Sequence, residues 1–261
     1  MRNLSNVGRV FYGLSIAVLG FVTVYDHDFP YMMIPANHAG IPGLAIVAYI
    51  SGALLVLAGI CIVFEKMTMQ VSLLLGSALL LIFCFYFIPY QFTVSPNYMQ
   101  FGDWENSEKE LALAGGAFVV AGCFSKTNEN AVIRFLRKLI PIGAILFALT
   151  MICFGIDHFL FAHEVLDYVP AWVPYHLFWI YAGGIGLLGS GLAIILNIKR
   201  GLFAFLLGSM IFIWFAILHT PRVIASPVAD LGSELTSAFL ALAYCGTAFV
   251  IAGAAKKKAV Q

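Results

Sequence analysis

The sequence predicts an all-α, polytopic membrane protein with eight transmembrane helices, built as two four-helix repeats of parallel topology. Three observations predict this fold: long apolar blocks, a one-sided distribution of basic residues, and an internal duplication. Of the 261 residues, 62% are hydrophobic and 10% are charged, whereas a soluble domain carries about 25% charged residues. Too few polar side chains remain to cover a water-exposed surface, so lipid is the expected solvent.

Each expected transmembrane helix corresponds to one apolar block, because about 20 residues are needed to cross the hydrocarbon core of a bilayer. The blocks are Val10–Tyr25, Leu44–Phe64, Val71–Val94, Leu111–Phe124, Leu139–Phe161, Leu177–Leu196, Leu202–Leu218 and Leu235–Ala255. The first and fourth blocks are short. We expect them to be extended by flanking residues such as Arg9 and Lys109, whose long side chains can reach the interface.

The basic residues test this division, because Lys and Arg are retained on the cytoplasmic side of a membrane. With the N-terminus inside, twelve of the 14 basic residues fall in cytoplasmic segments, and only Lys109 and Arg222 fall outside. Eleven of the 13 acidic residues and all six histidines fall outside or at the outer helix ends. Both termini are therefore predicted to be cytoplasmic, and any titratable chemistry is expected at the outer face.

The two halves of the sequence match at a nearly constant offset, which indicates an internal duplication. Asp26-His27 recurs 131 residues later as Asp157-His158. Further matches are Pro42 with Pro174, Tyr49 with Tyr181, Gly52 with Gly184, Leu74–Ser77 with Leu206–Ser209, Pro89 with Pro221, and Ala117–Gly122 with Ala248–Gly253. Each unit holds an even number of spans, so the copies share one orientation. The predicted units are residues 1–124 and 139–261, joined by a basic cytoplasmic linker at residues 125–138.

Several segments resemble the DoxX-like family of bacterial integral membrane proteins. They are Asp157-His158-Phe159 at a helix end, Val169–Pro174 with its tryptophan, and the glycine-rich stretch Tyr181–Gly191. The resemblance covers nearly the whole chain if each half is one unit, although the first half lacks the tryptophan. It implies a four-helix bundle for each unit, located in the bacterial inner membrane.

Some members of that family are linked to quinone-coupled sulfur oxidation or to thiol redox maturation outside the cytoplasm. The resemblance therefore implies an accessory or carrier subunit of an envelope redox system, with a quinone as the first cofactor to consider. Its implied partners are the lipid bilayer and other membrane or periplasmic redox proteins. The five cysteines form no CxxC motif and all lie in apolar blocks, where thiols commonly serve as packing residues.

The candidate site is a set of titratable residues at the outer ends of the helices. Its members are Asp26, His27, Asp157, His158, His163, His176, His219 and Arg222. A histidine beside a carboxylate can relay protons or orient a ligand, but such a pair can also simply mark the water boundary. Imidazole suits divalent metals, so His158, His163, His176 and His219 are candidates for a metal site or haem ligation. Solvated loop residues are the alternative.

Two apolar loops that contain prolines, Phe29–Pro35 and Tyr168–Tyr175, are expected to fold back onto the bundle at the membrane interface. There they could cover an outward pocket that admits a quinone or a lipid, or serve only as aromatic anchors. The acidic segment Asn97–Glu110 is expected to be an outer loop containing the start of the fourth helix, since acidic residues favour a helix N-terminus.

The sequence assigns no catalytic residue and names no reaction, because it contains no Gly-rich phosphate loop, nucleophile elbow or HExxH motif. The net charge of +1 gives no electrostatic case for nucleic acid binding. Two other functions remain open: a binding or transport module for a hydrophobic small molecule, and a structural membrane assembly factor.

Overall fold

The computed structural model of the chain describes residues 2–30, 32–34, 42–94, 101–124, 130–227 and 231–255. Nearly all of these residues are helical, and no β-strand occurs among them. The all-α prediction is therefore confirmed for the described part of the chain.

Six of the long helices are uninterrupted. They are α1 (Arg2–Tyr25), α2 (Leu44–Val63), α5 (Phe101–Ala121), α7 (Ile140–Leu160), α8 (His176–Ile195) and α11 (Leu231–Ala255). The short helix α6 (Ala131–Leu136) leads into α7 through a 3-10 turn. Part of the predicted linker at residues 125–138 is thus helical, while residues 125–129 lie outside the described residues.

Two further long helices are each interrupted by a π-helical turn. One consists of α3 (Thr68–Ile82), the turn Phe83–Phe87 and α4 (Ile88–Thr93). The other consists of α9 (Arg200–Trp214), the turn Phe215–His219 and α10 (Thr220–Ala225). Pro89 and Pro221 follow these turns. A proline inside a helix removes one hydrogen bond and clashes with the preceding turn, and the wider π turn accommodates that clash.

Seven helical segments of the described chain are long and apolar enough to cross a membrane. They are Asn3–Tyr25, Leu44–Val63, Thr68–Thr93, Ala131–Leu160, His176–Ile195, Arg200–Ala225 and Gly232–Ala254. Large apolar side chains on these segments point away from the protein; Phe85 and Ile224, for example, are 76% and 79% exposed. So many exposed apolar side chains require a nonaqueous solvent, and the chain is therefore a multi-pass membrane protein.

Helix α5 differs from these seven because charged residues occupy its first half, including Glu105, Glu108 and Glu110. The expected start of the fourth helix within Asn97–Glu110 is found at Phe101, so the described part of this segment is helix rather than outer loop. The local charge suggested exposure to water, whereas Glu110 is fully buried in the bundle. The second half of α5 is also buried, including Ala117 and Phe118.

The helices pack so that the last long helix of each half contacts the first long helix of the other half: α11 packs on α1, and α5 packs on α7. Paired glycines allow these close approaches. A Cβ atom on Gly8 would collide with the carbonyl of Gly246, and one on Gly115 would collide with the carbonyl of Gly143. Small residues let helix backbones approach closely in lipid, so the two halves are interlocked through α5 and α11.

Hydrogen bonds from three neighbouring helices hold α5 in the centre of the bundle. The hydroxyl of Thr150 donates to the carbonyl of Glu108 over 3.0 Å, and that of Tyr244 donates to the carbonyl of Lys109 over 3.2 Å. The hydroxyl of Tyr12 donates to the carbonyl of Leu113 over 2.7 Å. Helices α7, α11 and α1 therefore each contact the backbone of α5.

We call the end of the bundle where α1 and α7 finish and α2, α5, α8 and α11 begin the upper end, and the opposite end the lower end. Near the lower end the Arg9 side chain, 7% exposed, donates to the carbonyls of Ile62 and Val63 and pairs with Glu65 at 2.8 Å. The last carbonyls of a helix lack intrahelical partners and attract cations. Arg9 was expected to snorkel, but it instead caps the end of α2.

Candidate functional site

A cavity of about 190 Å³ opens at the upper end, beside α7 and the turn that follows it. Its lining residues are Glu105, Phe154, Asp157, His158, Phe161, Glu164 and Val165. Because Glu105 belongs to α5 and the other residues belong to α7 and its following turn, the cavity lies where the two halves of the chain meet. We call it the upper pocket.

The length of α7 places Asp157 and His158 in the upper pocket. The helix continues through both residues to Leu160, so they are part-buried helical residues rather than loop residues. Glu105 and Glu108 are three residues apart on α5 and therefore share one helix face. Both interact electrostatically with side chains of α7, so carboxylates from two helices converge at the pocket.

Two carboxylate oxygens at this interface are buried without a hydrogen-bond partner, namely Oδ1 of Asp157 and Oε2 of Glu108. Glu108 lies next to the pocket-lining residues and is hydrogen-bonded to the thiol of Cys153. Most buried polar atoms in proteins have a partner. These two oxygens are therefore buried acceptors to which no described residue donates a hydrogen bond.

Lys109 is the basic side chain that pairs with a wall residue of the upper pocket. Its Nζ lies 2.8 Å from Oε1 of Glu105 and 3.3 Å from Oδ1 of Asn106. No ion pair to Asp157 or Glu164 occurs among the described residues. Glu105 and Lys109 neutralise each other, so Asp157 and Glu164 are the acidic residues of the wall that have no ion pair among the described residues.

The imidazole of His158 is held in a defined orientation. Its Nδ1 lies 2.7 Å from the carbonyl oxygen of Phe154, so Nδ1 carries a hydrogen and Nε2 of the neutral ring is an acceptor. The ring stacks on Trp214 with a centroid distance of 5.8 Å and an interplanar angle of 14°. Gly183 makes room for Trp214, because a Cβ there would lie 2.7 Å from the indole ring.

The loop that follows α7 is fastened to the second half of the bundle by Arg222. The guanidinium makes two hydrogen bonds to Glu234, of 3.0 and 2.7 Å, and its central carbon lies 4.4 Å from the centroid of the Tyr168 ring. His219 is close enough to interact electrostatically with this pair, and its Nδ1 is buried without a partner. Arg222 and His219 therefore form a second group, which does not line the upper pocket.

The first copy of the Asp-His pair has a different environment. Helix α1 ends at Tyr25, so Asp26 and His27 are exposed, and His27 has a positive φ of 58°. The hydroxyl of Tyr49 lies 2.7 Å from Nδ1 of His27. The Asp26 carboxylate contacts Gly232 at the start of α11. Partial burial raises the pKa of Asp26 above its ordinary value, while His27 opposes this effect.

The eight predicted site residues therefore do not form one site. Asp157 and His158 line the upper pocket, His219 and Arg222 lie together near Glu234, and Asp26 and His27 lie at the end of α1. His163 is exposed and His176 is half-buried, and neither lines the pocket. Among the described residues, no group of three or more His, Cys, Asp or Glu could hold a metal. The predicted metal site at His158, His163, His176 and His219 has no geometric support.

The loop predictions had different outcomes. The predicted loop Tyr168–Tyr175 contributes no lining residue to the pocket, and its Trp172 and Tyr175 are 72% and 83% exposed. The turn Phe161–Val165, which precedes that loop, contributes three lining residues instead. The other loop, Phe29–Pro35, falls partly outside the described residues, which omit 31 and 35–41.

The site residues expected from the sequence did not include Glu105, Phe154, Phe161 or Glu164. A comparison of the two copies could have identified Glu105. At the offset of 131, Glu105 aligns with Thr236 and Glu108 aligns with Phe239. Acidic residues that occur in α5 but not at the aligned positions of α11 indicate that α5 has a role that α11 lacks.

What the upper pocket does must be argued from its own residues and from the stated resemblance. No family model, no curated protein and no solved structure matches this chain.

Proposed function

We propose that the chain crosses the bacterial inner membrane eight times as two tandem four-helix units, with both termini in the cytoplasm. The helix boundaries support the repeat. Helices α2 and α8 begin and end 132 residues apart, and so do α3 and α9, the two π turns, and α4 and α10. The distribution of basic residues supports the orientation, in which the upper end is the outer face.

In this arrangement α5 crosses the membrane in addition to the seven apolar segments, which brings the number of spans to eight. Its hydrogen bonds to α1, α7 and α11 support a position inside the bundle, away from lipid. A charged side chain is tolerated in a membrane helix when it faces the bundle interior or a cavity. Both conditions occur on α5, because Glu110 is buried and Glu105 lines the upper pocket.

The function that the site supports best is that of a carrier or accessory subunit that binds a small ligand at the outer face. The observation that carries this proposal is the upper pocket itself, at the junction of the two halves. Membrane proteins built from repeats commonly bind their ligands at the interface between the repeats.

Size and polarity restrict the ligand. Pockets for drug-sized molecules measure about 300–1,000 Å³, so a cavity of about 190 Å³ suits a single small ring or a headgroup rather than a whole lipid. The polar side chains of the pocket wall belong to Glu105, Asp157, His158 and Glu164, and most of their polar atoms are acceptors. The ligand is therefore expected to donate hydrogen bonds.

The resemblance to DoxX-like proteins gives this binding role a redox setting. In that setting the ligand would be the reduced, hydroxyl-bearing form of a quinone. Quinol hydroxyls can donate to Asp157 and His158, whereas the carbonyl oxygens of the oxidised quinone can only accept. The partners would then be membrane or periplasmic redox proteins that exchange the quinone.

Transport of a small molecule is a second candidate, favoured by polar groups that continue below the pocket. Glu108 bonds to Cys153, and the hydroxyl of the buried Tyr244 donates to the carbonyl of Lys109 over 3.2 Å. If the chain is a transporter, uptake of its small-molecule substrate into cells is expected to fall in an Asp157→Asn variant. The same uptake is expected to persist in Asp26→Asn. Equal uptake by both variants would remove this candidate.

The binding proposal is tested by purifying the chain in a mild detergent and analysing the extracted small molecules by mass spectrometry. The variant Val165→Trp fills the pocket, and Val173→Trp, in the same loop but outside the pocket, is the matched control. We expect a bound small molecule with the wild type and the control, and its loss from Val165→Trp. An equal yield from all three proteins, or none from any, would contradict the proposal.

A further inference from the structure

The acidic residues of the upper pocket restrict the chemical class of its ligand further than the proposed function does. We infer that the pocket takes a small organic cation, an ammonium group attached to a compact apolar body. This inference rests on the proposed binding function, and it replaces the neutral quinol of the redox proposal with a cationic ligand.

The first argument is the charge balance of the pocket wall. Glu105, Asp157 and Glu164 contribute three carboxylates, and Lys109 neutralises one of them through its 2.8 Å ion pair with Glu105. Arg222, on the far side of the loop, is occupied by its two hydrogen bonds to Glu234. Asp157 and Glu164 then remain as acidic groups without an ion pair among the described residues, and in their ionised form they attract a cation and repel an anion such as a sulfur oxyanion.

The second argument is the supply of unpartnered acceptors. Asp157 is a residue of the pocket wall, and its Oδ1 is buried without a partner. Oε2 of Glu108, one helical turn from Glu105 on α5, is also buried without a partner. An ammonium group offers three N–H donors and no acceptor. It can therefore donate to several carboxylates at once, whereas a neutral alcohol offers a single donor.

The third argument is the apolar part of the wall. The rings of Phe154 and Phe161 line the same cavity as the carboxylates. Aromatic faces attract cations through the negative charge of their π systems, and the rings also provide apolar surface for the body of the ligand. A bare metal ion would not use this surface, and the described residues contain no group of three ligands to hold one.

The inference is tested by calorimetric titration of the full chain in lipid nanodiscs with three probes of nearly the same shape: benzylammonium, benzyl alcohol and benzoate. We expect benzylammonium to bind at least about tenfold more tightly than benzyl alcohol, because pairing with a desolvated charge is worth more than a factor of ten. No binding of benzoate is expected.

Two variants locate the effect. Asp157→Asn is expected to weaken benzylammonium binding at least about tenfold, while Asp26→Asn at the other copy leaves it within about twofold. Glu164→Gln, in the exposed turn, is expected to weaken binding about threefold, since rim charges contribute less. This second variant keeps the test informative if Asp157→Asn fails to fold.

The outcomes separate this inference from the proposed function. One contrary outcome is that benzyl alcohol or a short-chain quinol binds as tightly as benzylammonium while Val165→Trp abolishes that binding. In that case the cation preference is wrong, and the proposal that the pocket binds a small ligand is retained. If none of the probes binds the wild-type chain, or Val165→Trp binds them unchanged, both the ligand class and the pocket are wrong.

Discussion

The same Asp-His dipeptide occurs in both halves of the chain, but its two copies lie in different environments. Asp157-His158 is inside helix α7, part-buried, and lines a cavity. Asp26-His27 follows the last residue of α1 and is exposed. The difference teaches that a repeated motif identifies equivalent positions, whereas the surrounding helices decide what the side chains can do.

Two neighbours account for the difference. In the second copy the ring of His158 stacks on Trp214, whose equivalent at the offset of 132 is Ile82, an aliphatic residue. The helix that packs on α7 is α5, with acidic residues at its upper end, whereas the upper end of α11 faces Asp26 with Gly232. Both neighbours come from distant parts of the sequence.

The largest expected effect comes from breaking the packing that is specific to the second copy. Gly183→Leu would push Trp214 away from His158, because even a Cβ there lies 2.7 Å from the indole. Overpacking typically costs about 1–3 kcal/mol, so the thermal midpoint should fall by several degrees. Ser51→Leu, at the equivalent position of α2, is the matched control and should change the free energy of unfolding by no more than about 0.5 kcal/mol. An equal loss in both variants would mean that the two environments are alike.

A smaller effect is expected when the loop after α7 is released. Arg222→Gln removes the two hydrogen bonds to Glu234 and the contact with Tyr168, which together are worth about 1 kcal/mol at this partly exposed position. Amide hydrogen exchange should quicken over residues 161–175. The turn between α2 and α3, at the other end of the bundle, is the internal control and should not change. Unchanged exchange in the loop would show that Arg222 does not fasten it.

The smallest effect concerns the first copy and its pH dependence. The Asp26 side chain is exposed, but its remaining desolvation raises the folded-state pKa, so folding weakly opposes ionisation of this group. Its contribution to stability is therefore lost as the pH rises through the interval above its ordinary value of 3.8. Thermal midpoints measured from pH 3 upward should decline slightly less in Asp26→Asn than in the wild type. A steeper decline in the variant would reverse the sign of this argument.

Much of the fold could be predicted from the sequence, because apolar blocks directly report the length of a helix in lipid. The predicted block Leu44–Phe64 differs from α2 by one residue, and Leu177–Leu196 differs from α8 by one residue at each end. The start of α5 was placed ten residues too late, at Leu111 instead of Phe101. Charged residues indicate a loop when only local composition is considered, yet partner helices bury those of α5.

The candidate site could be predicted only in part. Asp157 and His158 could be identified from the sequence, because they are titratable residues at the end of an apolar block. The sequence could not show that Glu105 lies across from them, because that contact depends on α5 packing against α7. Nor could it separate His219 and Arg222 from the pocket, because their position depends on the π turn Phe215–His219 and on Glu234.

The central claim is that the upper pocket opens to the outer face of the membrane and holds a ligand. It is tested most directly by labelling Glu164→Cys with a membrane-impermeant maleimide in intact cells, in a chain whose five native cysteines are replaced by alanine. Lys66→Cys, in the exposed turn after α2 at the lower end, is the control. The account predicts that Glu164→Cys is labelled from outside and protected by benzylammonium or a quinol, while Lys66→Cys is labelled only after permeabilisation. Labelling of both positions from the same side of the membrane, or labelling of Glu164→Cys that neither probe slows, would contradict it.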